Sequence, residues 1–271
     1  MNTKLLLPGI KHILVIASGK GGVGKTTVTV NLALALQRSG ASVGILDADI
    51  YGPNVPRMLG VRRYKESEAF VPVLRRVHAP AYIQPLTRFG LKVMSVGLLV
   101  AEQQVINPPA SAAGQLVVQT LKDVVWGELD YLLVDLPPSA GQPQEDLLRL
   151  VQLSGAVIVT TPQDLSLLDA GRSLQLFRDA GVPILGVVEN MSYFVCPGCG
   201  ERHEIFQRSQ QWRPPALADV PVIGRVPLLP EISQGINRAD PLMHQQPENV
   251  QGEAFMAITA VLREQLSINS S

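Results

Sequence analysis

Short apolar runs rich in valine, isoleucine and leucine alternate along the chain with stretches of helical periodicity. Six of the runs are apolar at consecutive positions, which is typical of strands that are buried on both faces of a parallel sheet. They read ILVIAS, SVGILDAD, DYLLVDLPP, GAVIVTTP, VPILGVVEN and VPVIGRVP. Helices are predicted over Thr26–Arg38, Gln115–Val125, Leu165–Asp179 and Gly252–Leu266.

This alternation predicts an α/β fold with a doubly wound, mostly parallel sheet and helices on both faces. We expect one domain over residues 1–271, with an elaboration at about residues 60–90, where charges and prolines interrupt the pattern. The last helix carries an apolar stripe that predicts core packing rather than membrane binding. The stripe consists of Phe255, Ile258, Leu262 and Leu266.

Composition narrows the class of protein. Hydrophobic residues make up 46% of the 271 residues and charged residues 17%, which suits a globular core. Lys+Arg and Asp+Glu balance at 23 each, so no overall positive field favours nucleic acid or an anionic membrane. No apolar run approaches the roughly 20 residues of a membrane span, and the opening segment lacks a secretory signal. We expect a cytoplasmic protein with no nucleic-acid or membrane partner.

The segment GKGGVGKT matches the phosphate-binding pattern G-x-x-x-x-G-K-[ST] between a predicted strand and a predicted helix. Its glycines leave backbone N–H groups free to face phosphates, and the helix presents its positive end to them. Lys25 is expected to bridge the β- and γ-phosphates, and Thr26 to bind Mg²⁺. The expected nucleotide ligands are Gly19, Lys20, Gly21, Gly22, Val23, Gly24, Lys25, Thr26 and Thr27.

Three carboxylates stand at the ends of predicted strands. Asp47 and Asp49 follow the second strand and could orient the attacking water or contact the metal shell. Asp135 ends the apolar strand before PPSAGQ and is expected to be the Walker B carboxylate that holds Mg²⁺ through water. Three such residues, in this order after a P-loop, predict nucleotide hydrolysis.

Lys20 follows the first glycine of the loop directly, so the chain resembles the deviant Walker A, or SIMIBI, group with its K-G-G-x-G-K-[ST] signature. The resemblance implies that Lys20 reaches across a two-fold interface to the partner's phosphates and acts like an arginine finger. It also implies that Asp49, in preference to Asp47, positions the attacking water. A solvated surface lysine is the alternative interpretation.

The stretches DADIYGPNVPRMLG, GAVIVTTPQDLSLLDA and VENMSYFVCPGCG narrow the resemblance to the Mrp/ApbC family of iron–sulfur cluster carrier ATPases, from about Gly9 to Ile232. The resemblance implies that Asn190 reads adenine, since an amide can donate and accept at once. ATP and Mg²⁺ are therefore the expected cofactors. PPSAGQ replaces the PPGTGD of relatives, which predicts slow or conditional hydrolysis. The N-terminal domain of some relatives is expected to be absent.

Cys196 and Cys199 form a C-x-x-C, and thiolates suit iron–sulfur clusters or zinc. Two cysteines leave a four-ligand site half complete, whereas two chains can close it. The resemblance implies a 4Fe–4S cluster that bridges a homodimer and is handed to apo client proteins. A zinc site with His203 as third ligand, a redox pair and a metal-free structural pair remain open alternatives.

Two other functions compete with cluster transfer. The first is a MinD/ParA-type positioning or regulatory ATPase switch with a zinc-binding C-x-x-C at its dimer interface. The second is a small-molecule ligase or kinase on the same scaffold, for which the sequence offers no activating constellation. Neither explains the paired cysteines as well as an iron–sulfur carrier does.

Overall fold

The apolar runs form the strands of one central sheet. A computed structural model describes residues 4–61, 74–76, 81–98, 108–138, 141–206, 214–229, 231–232, 235 and 238–268. Residues 62–73 and 77–80 of the predicted elaboration lie outside these residues, as do Ser139 and Ala140 of PPSAGQ.

The described strands are numbered in chain order. They are β1 (Ile10–Ser18), β2 (Val43–Asp47), β3 (Leu74–Arg76), β4 (Ala81–Ile83), β5 (Leu86–Arg88), β6 (Leu91–Ser95), β7 (Leu129–Asp135), β8 (Gly155–Thr160), β9 (Ile184–Glu189), β10 (Phe194–Val195), β11 (Arg202–His203) and β12 (Val222–Arg225). Eight of them form one sheet in the order β12-β9-β8-β1-β7-β2-β6-β5. Its neighbours are parallel except at the edge, where β5 pairs with β6 in the antiparallel sense. The remaining strands make two hairpins, β3–β4 and β10–β11.

Helices cover both faces of this sheet. The described α-helices are α1 (Lys25–Arg38), α2 (Val55–Leu59), α3 (Ala110–Asp123), α4 (Gln142–Leu150), α5 (Asp164–Asp179), α6 (Leu242–Gln245) and α7 (Val250–Ile268). One face of the sheet packs its apolar side chains with those of α3, α4 and α5. The other face packs with α1, α2 and α7. The predicted doubly wound α/β fold is confirmed.

The predicted elements agree with the described ones. The six apolar runs are β1, β2, β7, β8, β9 and β12, and the four predicted helices are α1, α3, α5 and α7. The helices α2, α4 and α6 were not among the predicted elements. In the predicted elaboration, β5 extends the edge of the central sheet rather than standing apart from it.

The apolar stripe of α7 is buried, as expected for core packing. Phe255, Ile258 and Leu262 are fully covered and Leu266 is 2% exposed. Gly224 of β12 admits this helix closely, because an ideal Cβ there would lie 2.2 Å from Cγ1 of Ile258. None of the described helices is long and apolar enough to cross a membrane.

Polar side chains gather at the carboxyl ends of the parallel strands. Because parallel neighbours end together, Asp47, Asp135, Thr160 and Glu189 all end strands on the same side of the sheet as Ser18 of β1. Ser18 lies at the centre of this row of strand ends, and the glycine-rich loop leaves the sheet there.

Candidate nucleotide site and cysteine knuckle

The glycine-rich loop connects the central strand β1 to α1, as its sequence predicts. Gly22 and Gly24 adopt left-handed backbone conformations with φ of 81° and 82°, which glycine reaches without the cost that other residues incur. Gly19 is needed for a different reason. An ideal Cβ at that position would lie 2.0 Å from the backbone carbon of Asp169 in α5, so only a residue without a side chain fits.

Asp135 holds the base of the loop together. Its fully buried carboxylate accepts hydrogen bonds from Thr26 Oγ1 and Thr29 Oγ1, both at 2.7 Å. The ammonium of Lys25 lies 2.9 Å from its Oδ1, and that lysine is 6% exposed. Thr29 was not predicted to belong to the site. It lies one helical turn after Lys25, on the same face of α1, and this spacing was the available signal.

The surroundings of the buried Lys25 ammonium show whether a phosphate would fit the loop. Although Lys25 pairs with Asp135, its Nζ makes no aligned hydrogen bond within the described part of the chain. An ammonium carries three N–H donors, and a phosphate supplies acceptors for them. The loop, the start of α1 and the Thr26–Asp135 contact therefore fit a nucleoside phosphate with its Mg²⁺.

A cavity of about 610 Å³ opens beside the loop, within the usual range for a small-molecule site. It brings together the phosphate loop and the segment that follows β2. Lys20 lines it and makes no ion pair with any described residue. The role of Lys20 at a partner's phosphates stays a prediction. The cavity is lined by Ser18, Lys20, Gly21, Gly22, Val23, Gly24, Lys25, Thr26, Thr27, Asp49, Tyr51, Gly52, Asn54, Arg57, Met58 and Pro138.

Asp47, at the end of β2, and Asp49, two residues later, have different surroundings. Asp49 lines the cavity, and its Oδ1 accepts a hydrogen bond from the N–H of Gly52. Asp47 is fully buried and organises the chain instead. Its carboxylate accepts hydrogen bonds from the N–H groups of Asp49 and Val55 and from Ser95 Oγ, at 3.1, 3.2 and 3.1 Å. The geometry therefore favours Asp49 over Asp47 for contact with a water.

Both carboxylates hold their protons more tightly than usual. Burial and the nearby Asp135 carboxylate together raise the pKa of Asp47 to about 8, against the attraction of Lys25. Burial likewise raises the pKa of Asp49, while Lys25 acts in the opposite direction. Asp47 therefore gives up its proton at a higher pH than an ordinary aspartate does.

Asn190 contacts the phosphate loop directly. Its Nδ2 donates to the carbonyl of Val23 at 2.8 Å, and its own N–H donates to the carbonyl of Thr160 at 2.8 Å. An ideal Cβ at Gly24 would lie 2.2 Å from the same Nδ2. The residue is 3% exposed and does not line the cavity described above. Recognition of adenine by Asn190 stays a prediction, and the P-loop contact was not foreseen.

The two cysteines lie in the turn of the β10–β11 hairpin. The N–H of Cys196 donates to Glu201 at 2.9 Å, and the N–H of Gly200 donates to Cys196 at 2.8 Å, which closes a tight knuckle. Cys199 is exposed, and Cys196 is partly exposed. The N–H groups of Cys199 and Gly198 lower the pKa of the Cys196 thiol, with a further contribution from the Cys199 side chain.

The knuckle brings together two potential metal ligands, the thiols of Cys196 and Cys199. Among the described residues, no three His, Cys, Asp or Glu side chains are grouped to hold a metal ion. His203 is not part of a preformed group with the thiols, and its Nε2 lies 3.7 Å from a carboxylate oxygen of Glu201 on the same hairpin. A role for His203 as third ligand stays a prediction. The motif also lies in a hairpin rather than at a helix N-terminus, where a redox pair is usual.

The fold and the site define a P-loop nucleotide-binding protein with a doubly wound sheet, a deviant phosphate loop and an exposed cysteine pair. The chain belongs to the NUBPL iron-transfer P-loop NTPase family, whose model matches residues 9–263. The predicted resemblance to iron–sulfur carrier ATPases is thereby confirmed.

Individual relatives agree with this assignment. The chain is 42% identical to the iron–sulfur cluster carrier protein of Deinococcus radiodurans, over 99% of this chain and 73% of that protein. It is 38% identical to the iron–sulfur cluster transfer protein NUBPL of Mus musculus, over 94% of this chain and 77% of that protein.

Solved structures share the fold. A nucleotide-binding protein of Archaeoglobus fulgidus in complex with ADP is 31% identical, with a TM-score of 0.70 and coverage of 91% of this chain and 93% of that one. The cell division ATPase MinD of Pyrococcus furiosus is 26% identical, with a TM-score of 0.66 and coverage of 94% and 99%.

Proposed function

We propose that this protein carries iron–sulfur clusters under the control of bound nucleotide. The observation that carries the proposal is the exposed knuckle, in which backbone N–H groups of Gly198 and Cys199 stabilise the Cys196 thiolate. The thiolate is the form that binds iron, so the knuckle is prepared for a metal cargo. The names of the relatives from Deinococcus radiodurans and Mus musculus support the same cargo.

The nucleotide of this proposal is ATP with Mg²⁺. Lys25 and the loop N–H groups would hold the phosphates, while Thr26 and Asp135 would hold the metal ion. Asp49, at the wall of the cavity, would position the attacking water, and Asn190 would read the base. The ADP complex of the Archaeoglobus fulgidus protein supports a nucleotide here.

A second copy of the chain completes both sites in this proposal. Cys196 and Cys199 supply two of the four thiolates that a 4Fe–4S cluster uses, and the partner's pair supplies the others. Lys20 would cross the same two-fold interface to the partner's phosphates, so hydrolysis would be slow until the dimer forms. Apo iron–sulfur proteins would then take the cluster from its exposed position.

A MinD-like positioning role finds no support in the last helix. The apolar stripe of α7 faces the core and is not available to a membrane surface. The cysteine knuckle is also a feature that positioning does not use. Cluster transfer therefore accounts for more of the molecule than the alternative switch does.

Anaerobic reconstitution with iron and sulfide tests the proposal. We expect about four irons and four sulfides per dimer, with loss of both in Cys196→Ala/Cys199→Ala. His203→Ala is the matched control, since it removes the imidazole of the hairpin and should leave the cluster intact. Transfer of the cluster to an apo-ferredoxin would follow. A colourless wild-type protein that retains stoichiometric zinc would contradict the carrier function.

A further inference from the structure

The short segment Asn190–Cys196 joins the phosphate loop to the cysteine knuckle. At its first residue, the Asn190 side chain donates to Val23 in the loop at 2.8 Å. The side chain of the next residue lies close to the loop, since Cε of Met191 would be 3.6 Å from a Cβ added to Gly24. The start of this segment therefore lies against the phosphate loop.

Met191 is a strained point within the segment. Its φ of 52° lies in the left-handed region, which a side chain such as methionine rarely adopts. Backbone hydrogen bonds fix it on both sides: Asn190 N–H donates to Thr160 at 2.8 Å, and Ser192 N–H donates to Val226 at 2.9 Å. Such strain persists only while the surrounding contacts enforce it, so a ligand that alters those contacts would allow the backbone at Met191 to relax.

The remainder of the segment is attached to the knuckle. The N–H of Leu228 donates to Tyr193 at 2.7 Å, and Phe194 bridges to Leu228 in the parallel sense. Phe194 and Val195 form strand β10, which pairs with β11 and ends directly before Cys196. A change in the backbone at Met191 would therefore alter the register or orientation of the strand that carries the first thiol.

We propose that Met191 couples the two sites within a single chain, so that nucleotide binding at the phosphate loop changes the reactivity and metal affinity of Cys196 and Cys199. The inference rests on the proposed function and adds a route to it that needs no second chain. Asn190 gives one of its two amide donors to Val23, so a ligand that moves the loop or engages this amide displaces the start of the segment. By linkage, a metal at the thiols changes nucleotide affinity by the same factor.

The rate of thiol alkylation tests this coupling without a metal. Iodoacetamide labelling of both cysteines would be followed by mass spectrometry with and without saturating ADP, on the full chain at two protein concentrations. We expect ADP to change the rate at Cys196 by at least about fivefold, independently of concentration.

Two glycine substitutions separate the route from a general loosening of the backbone. Met191→Gly removes the strain and the side chain beside the loop, so the ADP effect should fall to less than about twofold while ADP still binds. Ala239→Gly is the matched control, because Ala239 also has a positive φ, of 55°, and lies outside the segment. It should keep the full effect, and thermal melting verifies that both variants fold.

Each other result overturns the coupling. If ADP binds and a cluster assembles but the wild-type rate is unchanged, the coupling is wrong and the proposed function stands. An equal effect in wild type and Met191→Gly excludes the Met191 route, and an effect that disappears on dilution assigns it to the dimer interface. If neither ADP nor a cluster binds, the proposed function fails as well.

Discussion

Oδ1 of Asp135 lies 2.9 Å from Nζ of Lys25, and both side chains are buried beneath the phosphate loop. The carboxylate also receives the hydroxyl groups of Thr26 and Thr29. The strand end that is expected to serve Mg²⁺ therefore also neutralises the buried lysine of the loop. We therefore expect stability and nucleotide binding to depend on the same pair.

Asp135→Asn should destabilise the protein strongly. It leaves the Lys25 ammonium buried without its counter-charge, which costs about 3–5 kcal/mol in the free energy of unfolding. Lys25→Met should also destabilise, but the double variant should lose less than the sum of the two. Urea unfolding of the four proteins measures the coupling, and losses that add within about 0.5 kcal/mol would contradict it.

Gly24→Ala should be far more damaging than Gly22→Ala. Both glycines have φ near 81°, so an alanine costs about 1–2 kcal/mol of backbone strain at either position. At Gly22 an added Cβ meets nothing within 4 Å, whereas at Gly24 it would lie 2.2 Å from Asn190 Nδ2. We expect Gly24→Ala to displace Asn190 and weaken ADP binding as well. Calorimetric ADP titration and urea unfolding compare the pair, and equal effects would exclude the Asn190 contact.

Asp47→Asn should change how stability depends on pH. The raised pKa means that the folded protein holds this proton more tightly than the unfolded chain, so stability falls as pH rises from about 4 to about 8. Removing the carboxyl should reduce that slope by up to about 1.4 kcal/mol per pH unit. Part of the slope should remain, because the pKa of Asp49 is raised too.

Asp130→Asn is the control for that measurement. Lys11 and Ser42 lower the pKa of Asp130 to about 2, so its contribution is lost only as pH falls below about 4. Urea unfolding between pH 5 and pH 8 should therefore show nearly the wild-type slope in this variant, altered only through His12, whose pKa Asp130 raises. A wild-type slope in Asp47→Asn would mean that Asp47 is ionised across the range.

Lys20→Ala should slow hydrolysis without destabilising the fold. Lys20 lines the cavity without an ion partner among the described side chains, so we expect a stability change within about 0.5 kcal/mol. Phosphate release should fall roughly 10²–10³-fold, as for other groups that stabilise transition-state charge. Mixing Lys20→Ala with Asp49→Asn then tests the dimer. Roughly a quarter of wild-type activity should return, since half of the dimers are mixed and each has one complete site. No recovery would mean that Lys20 acts on its own nucleotide.

Local sequence patterns predicted many residues of the candidate nucleotide and cysteine sites. Lys25 and Thr26 were found because the phosphate loop is a contiguous motif between a strand and a helix, and Asp135 because it ends a wholly apolar strand. The cysteine pair could also be recognised from the sequence, because the spacing of its two thiols is a local property. The contact between His203 and Glu201 could not be predicted, because it depends on how the hairpin closes.

The sequence by itself determined the α/β class, the parallel strands and the chemistry of loop and knuckle, since periodicity and motif spacing are properties of neighbouring residues. Only the tertiary structure decided that Asp47 organises the chain while Asp49 faces the cavity. It also placed Asn190 on Val23, a contact between residues far apart in the chain. Such contacts arise from strand order and packing, and a side chain's neighbours across the sheet are not encoded in the residues beside it.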